Sequence, residues 1–308
     1  MTLAPIALFA FRRPDHLAKV IVGLQANPDA ARSNLFVYCD AARGSDDAAA
    51  VSAVRSFARA ITGFAAVEVV ERPENFGLAR SIIEGVGALC RRFGRVIVLE
   101  DDVVPTPYFL RYVNEALDRY RDDDRVMSVG CFTFDTPQTL PATFFLDIPD
   151  CWGWGVWQRS WDFFEPDGVK LYKALRDRDL LSAFDLDGAY PYAAMLKDQT
   201  LGRNASWAVR WYASVMLVGG LTLYPGSSVT ANIGQDGSGT HGGGAPLRPK
   251  LAHAPIEVGA IAIEPSVLAR RAWANALRRQ QGGIAGRTMY ALRSGIGRAL
   301  KPWRLTSK

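Results

Sequence analysis

Apolar and polar positions come in regular blocks over the first hundred residues. Ile6–Phe11 is an unbroken apolar run of strand length. Asp15 is placed to cap a helix in which Leu17, Val20, Ile21 and Leu24 recur at helical spacing. Leu35–Cys39 predicts a second strand, and the Ala-rich stretch Asp46–Ile61 a second helix. Val67–Val70 predicts a third strand. Leu78, Ile82, Ile83, Val86 and Leu89 share a helical stripe that Gly94 ends, and Val96–Leu99 predicts a fourth strand.

That order is βαβαβαβ. Right-handed crossovers turn it into a mostly parallel sheet with helices on both faces, an α/β, Rossmann-like class. No GxGxxG loop follows the first strand, which disfavours a dinucleotide-binding domain. A further helix is predicted over Thr106–Tyr120. Beyond it the pattern loosens. Trp154, Trp157 and Trp161 fit helical spacing, residues 175–206 are polar and mixed, and Pro225–Gly244 is a Gly-rich loop with little core content. Residues 265–308 look helical and basic.

Composition narrows the class. The chain has 308 residues, 49% of them hydrophobic and 22% charged, enough to bury a large core and exclude wholesale disorder. Cys39, Cys90, Cys131 and Cys151 form no CxxC pair, which argues against a zinc site and a disulfide framework and fits a reducing, cytoplasmic compartment. No stretch reaches the length of a membrane span, and the first charges, Arg12 and Arg13, follow the apolar N-terminal run, the reverse of a signal peptide.

Net charge is +5, yet no acid follows Glu264, and ten basic residues lie between Arg270 and Lys308. Those ten exceed the net charge, so the remainder of the chain is acidic. In the tail, Leu268, Ala272 and Leu277, then Met289, Leu292, Ile296, Leu300 and Trp303, interleave with arginines and Lys301. This suits a basic amphipathic helix lying on an anionic membrane surface, at about 1 kcal/mol per basic residue. A solvated helical extension is the alternative. A nucleic-acid partner is not expected, because the body is acidic and no recognition module appears.

Ligands of parallel α/β sheets bind outside the carboxyl ends of the strands. Here those ends carry Phe11-Arg12-Arg13, Asp40, Glu71-Arg72 running on to Asn75-Phe76-Gly77, and Glu100-Asp101-Asp102. The acidic triplet is the sharpest feature. Three adjacent carboxylates repel one another unless a cation or donor hydrogens offset them. In extended chain Glu100 and Asp102 share one face and Asp101 takes the other. One face can hold Mg²⁺ or Mn²⁺, hard ions that take oxygen ligands, and the other a hydroxylated ligand. A solvated acidic turn is the plain alternative.

Val96–Pro105 with Tyr108-Phe109-Leu110 resembles the acidic-motif strand of GT-A-fold glycosyltransferases. That family includes the Golgi N-acetylglucosaminyltransferase that starts complex N-glycans and bacterial enzymes that build surface polysaccharides. Asn75–Ala79 resembles the segment after the third strand, Trp152-Gly153-Trp154-Gly155 with Trp161 the Gly-aromatic acceptor-side loop, and Asn232–His241 the C-terminal segment whose His completes a metal shell.

The resemblance implies a domain over residues 1–245, with a nucleotide-sugar-binding half (1–105), an acceptor-side half (106–245) and an extension over 246–308. It implies a nucleotide-sugar donor, a saccharide or lipid-linked hydroxyl acceptor, and Mn²⁺ or Mg²⁺. By position, Asp40 matches the acid that reads the base, Glu100 and Asp101 those facing ribose and donor sugar, and Asp102 and His241 the metal ligands. Phe11, Arg12 and Asn75 fall on the donor side, and Trp152, Gly153 and Trp154 on the acceptor side.

Inverting members place a carboxylate before a Trp as general base. The matching stretch here, Asn204–Arg210 around Trp207, has none. Asp198 and Asp236 are the candidates, with Asp185 and Asp187 weaker. Two rivals remain. A nucleotidyltransferase would want a Gly-rich, Lys-containing loop where Phe11-Arg12-Arg13-Pro14 stands. A non-catalytic sugar- or membrane-binding protein would account for a missing base.

Overall fold

The computed structural model describes residues 2–237 and 249–280. The first third follows the pattern: β1 (Ile6–Ala10), α1 (Pro14–Gln25), β2 (Asn34–Cys39), α2 (Ser45–Arg59), β3 (Ala66–Glu71), α3 (Gly77–Phe93) and β4 (Arg95–Glu100). Then come β5 (Val103–Pro105), α4 (Phe109–Arg119), β6 (Val126–Gly130), β7 (Thr143–Leu146), β8 (Trp154–Trp157), α5 (Gln158–Trp161), α6 (Gly168–Asp177), α7 (Leu181–Phe184), α8 (Tyr192–Thr200), α9 (Trp207–Leu217), β9 (Leu221–Pro225), β10 (Thr230–Asn232) and α10 (Val267–Gln280).

Eight strands form one mixed sheet in the order β3-β2-β1-β4-β8-β6-β9-β7. β1 to β4 run parallel, β8 runs against β4 and β6, β9 runs with β6, and β7 runs against β9. The chain winds outward from β1 through β2 to β3, then crosses back to lay β4 on the other flank of β1. That reversal opens a crevice at the carboxyl ends of β1 and β4, the place such sheets bind ligands.

Both sheet faces are covered, as a parallel sheet requires. Along β4, Ile97 and Leu99 enter the core under α1, α2 and α4, while Val96 and Val98 enter the one under α3 and α9. A third core gathers α6 to α9, β7 and α10.

Several expectations are corrected. Asp15 does not cap α1: the helix opens on Pro14, whose fixed φ suits a first helical position, and Asp15 sits one place inside, facing the helix's positive end. Leu78 leaves the stripe of α3 and is 48% exposed. Trp154 and Trp157 belong to β8 rather than a helix, and their odd spacing sends them to opposite sheet faces. Residues 175–206 hold the short helices of the third core. The Gly-rich stretch buries Ser228, Val229 and Thr230, and its β10 pairs antiparallel with β5.

Of the basic tail, α10 lies within the described residues. Its Ala272 and Leu277 are buried and Leu268 is half-exposed. Trp273 meets Phe134 and Tyr224 edge-on, and Arg270 reaches both carboxylate oxygens of Asp147, at 3.0 and 3.1 Å. Met289, Leu292, Ile296, Leu300 and Trp303 lie outside the described residues. No helix among the described residues is long and apolar enough to cross a membrane.

Candidate functional site

The crevice between β1 and β4 is where the acidic triplet falls. Asp101 turns back toward β1: its carboxylate accepts the backbone N–H of Phe11 at 3.3 Å and a short hydrogen bond from Arg13 Nη2. The same nitrogen donates to Asp102 Oδ2 at 2.9 Å. One guanidinium thus ties the end of β1 to the end of β4 and sits between two carboxylates.

Charge and burial compete here. Burial pushes Asp101 above the usual carboxylate range, against the pull of Arg13. Burial, followed by the charges of Asp102 and Asp101, pushes Glu100 well above it. Burial also pulls Arg13 down, but the two aspartates outweigh it and hold that pKa up. Two aspartates share one arginine with Glu100 adjacent, so acids outnumber bases at this tip.

Two polar atoms are left over. Asp102 Oδ1 and Arg13 Nη1 are both buried and lack hydrogen-bond partners among the described residues. A buried, unpaired anionic oxygen is costly unless a cation or donor reaches it. Among the described residues no group of three or more His, Cys, Asp or Glu side chains gathers to hold a metal. Mg²⁺-type sites often use one or two carboxylates and complete the shell with substrate phosphate oxygens and water. Asp102 Oδ1 fits that role, and His241 lies outside the described residues.

The strand β10 brings the Gly-rich segment across the acids. Ile233 donates its N–H to the Asp102 carbonyl at 2.8 Å. At Gly234 a Cβ would lie 2.1 Å from Asp102 Oδ2, so only glycine lets the backbone approach the carboxylate this closely. Gly234→Ala is expected to destabilise the fold by about 1–3 kcal/mol through overpacking. In an Asp102→Ala background the penalty should shrink, a coupling that a double-mutant cycle by thermal unfolding reads directly. Equal penalties in the two backgrounds would put the cause elsewhere.

The other predicted residues divide. Asp40 and Asn75 come together: Asp40 accepts from Phe76 N at 2.8 Å, Gly77 N at 2.9 Å, Ala41 N at 2.9 Å and Asn75 Nδ2 at 3.2 Å. Its carboxylate therefore serves the start of α3, where an anion is favoured. Arg12 turns away to Asp47 at 2.7 Å, while Arg43 stacks on the Phe11 ring at 4.8 Å. Asp236 meets His16 Nε2 at 3.1 Å, on the donor flank. Asp198 pairs with Arg203 at 2.9 Å at the end of α8.

On the acceptor flank, Trp152 is partly exposed and packs edge-on against Phe132, with centroids 4.7 Å apart. Gly153 has φ +85, and a Cβ there would meet Thr230 at 2.8 Å, so this turn also requires glycine. Trp154 does not line the crevice. It is buried among Trp161, Trp207 and Trp211 on the far side of β8.

Asp150 is the residue sequence reasoning missed. Its Oδ1 accepts Cys151 N at 2.7 Å and Trp152 N at 3.1 Å, and its Oδ2 accepts Phe132 N at 3.1 Å. Burial nevertheless lifts its carboxyl to about 6, against those backbone donors. A signal was present: Asp150-Cys151-Trp152 is itself a carboxylate before a Trp. Two shallow concavities, one lined by Arg119, Asp122, Asp123 and Ile261 and one by Asp147, Met216 and Gly220, contain none of the predicted site residues.

No protein-family model matches the chain, and no curated protein matches its sequence. Solved structures share its outline distantly. A mannosyltransferase of Pyrobaculum calidifontis in complex with GDP-Man and Mn²⁺ is 13% identical, with a TM-score of 0.36 over 70% of this chain and 74% of that one. Residues 1–349 of TarS from S. aureus are 9% identical, with a TM-score of 0.35 over 57% of this chain and 49% of that one. Mouse xyloside xylosyltransferase 1, apo form, is 11% identical, with a TM-score of 0.34 over 69% of this chain and 81% of that one. Likenesses this remote carry no weight for function, which has to be read from the crevice itself.

Proposed function

We propose that the protein transfers a sugar from a nucleotide-sugar to a hydroxyl acceptor with the help of a divalent cation. One observation supports this above the others. The acidic triplet at the end of β4 lies at the sheet's switch point, and its Asp102 presents a buried oxygen with no hydrogen-bond partner among the described residues.

In this reading Asp102 holds Mn²⁺ or Mg²⁺, which when bound supplies Lewis-acid neutralisation of charge on a leaving diphosphate. Arg13 orients both aspartates and leaves Nη1 for a donor oxygen. Glu100 and Asp101 position the sugar and ribose, which contributes through orientation rather than chemistry. Phe11 and Arg43 form a cationic, aromatic shelf beside the nucleotide. Residues 1–105 serve the donor, and the part that follows, with Trp152 at its entrance, serves a saccharide or lipid-linked acceptor. The basic tail carries the protein to anionic membrane where such acceptors reside.

Thermal unfolding with UDP, GDP, CDP and dTDP, each with and without Mn²⁺, tests the donor site. A ligand at a hundred times its dissociation constant adds ~2.7 kcal/mol, a rise of roughly 5–10 °C for a domain of this size. One nucleotide is expected to raise Tm when Mn²⁺ is present. No shift with any of them sinks the reading.

A further inference from the structure

Pairing register shows what faces the donor acids. Val98 of β4 and Gly130 of β6 both pair with Trp154 of β8. The ladder ends there, at the left-handed turn of Gly153, and the chain just before it lays Trp152 against Phe132, with ring centroids 4.7 Å apart. Asp150, two residues before Trp152, accepts the N–H of Phe132 just past the end of β6, two strands from the acidic tip of β4. Its charge is felt by Glu100 on one side and by Tyr192, at the start of α8, on the other. There Tyr190 and Tyr192 stand 4.5 Å apart, centroid to centroid, and are only partly buried. A carboxylate on one side and aromatic rings with hydroxyls on the other make a chemistry suited to a sugar ring.

Asp150 is also held still. Three backbone N–H groups from two separate segments fix both its oxygens, so its position does not depend on a rotamer. No arginine, lysine or histidine bonds to it among the described residues, in contrast with Asp101 and Asp102, which share Arg13, and with Asp198 and Asp236, which are paired elsewhere.

We propose that Asp150 is the general base of sugar transfer, taking the proton of an acceptor hydroxyl bound between it and Tyr190–Tyr192. This rests on the transferase reading above. The acceptor oxygen's electron pair forms the new bond to the sugar's anomeric carbon. The bond from that carbon to the diphosphate breaks, its electron pair leaves with the diphosphate, and the acceptor proton passes to Asp150. Attack from the side opposite the leaving group inverts the anomeric centre. Burial keeps the carboxyl near the pH at which a base works best. The other titratable groups around it are Glu100, Cys131, Cys151, Tyr192 and Tyr224.

Water and azide serve as acceptors in the test, because water must lose a proton and the azide anion carries none. The donor is the nucleotide-sugar of whichever nucleotide shifts the melting temperature. Asp150→Asn keeps a carbonyl oxygen for Cys151 and Trp152 and should retain the Mn²⁺-dependent nucleotide shift. Its hydrolysis of the donor is expected to fall about 10²- to 10⁴-fold, while azide restores donor consumption and yields a glycosyl azide of inverted configuration. Equal losses with both acceptors, hydrolysis within about threefold of wild type, or a retained configuration would each overturn the assignment. Should the variant not fold, the wild type decides: its rate with water must fall on the acid side, and its rate with azide must not follow. A wild type that consumes no donor with either acceptor refutes sugar transfer itself, a result distinct from any of these.

Discussion

Asp102→Ala is expected to lower sugar transfer about a thousandfold and to erase the Mn²⁺-dependent part of the nucleotide-induced rise in Tm. The factor corresponds to ~4 kcal/mol of transition-state stabilisation, in keeping with loss of a cation that neutralises a leaving diphosphate. The fold should not suffer equally. Arg13 keeps Asp101 as a partner, and the substitution removes a buried oxygen that has no partner among the described residues. The lost contact between Arg13 and Asp102 Oδ2 and the relief of that oxygen oppose each other, so the net cost to the fold should be small. Asp102→Asn separates the effects further, since it preserves shape and one acceptor for Arg13 while giving up the full negative charge. Both variants should melt close to the wild type without nucleotide. Near-normal turnover in either would falsify the metal assignment. A large drop in nucleotide-free Tm would instead make Asp102 a structural partner of Arg13.

What was legible in the sequence depended on how local the signal is. The strands β1 to β4 and their helices stand out because each is a short apolar run beside a helical stripe, and the crossover rule then fixes their order. The triplet stood out because three adjacent acids after a buried strand need an explanation. What came later in the chain obeys longer-range causes. Trp154, Trp157 and Trp161 look helical by spacing, yet β8 is a strand because β4 and β6 need a partner between them. Asp150 went unnoticed for a related reason. It precedes a strand instead of following one, and only the reversed direction of β8 returns it to the edge where β4 ends. Arg13 stands out in the sequence only as a charge after β1, because nothing in a sequence announces that a guanidinium will sit between two acids ninety residues away. Asp40 shows the opposite limit: its place after β2 was evident, but its three hydrogen bonds to the start of α3 appear only in three dimensions.

Arg13→Met should be the most destabilising single change in the crevice. The side chain bonds to Asp101 and Asp102 while remaining only 18% exposed, and the aspartates are 5% and 14% exposed. Breaking a fully buried pair from one side costs about 3–5 kcal/mol, because a charge is stranded. Solvent reaches this arginine, so about 2–4 kcal/mol is the fitting figure. The loss should depend on pH in a definite direction. Asp101 and Glu100 already have pKa values raised by burial, and losing Arg13 raises them further. A folded state with raised carboxyl pKa values binds more protons than the unfolded chain, so its stability falls as pH rises through those values and is fully present below the unfolded ones. Chemical unfolding of Arg13→Met across the range from pH 4 to pH 8 should therefore show the deficit against wild type widening toward pH 8. Mn²⁺ should recover part of it at the alkaline end, because a second cation beside Asp102 offsets the same repulsion. A deficit that stays constant with pH would mean that the packing of the Arg13 stem matters and its charge does not. In that event the paired acids would no longer demand a cation, and the case for a metal beside Asp102 would weaken with them.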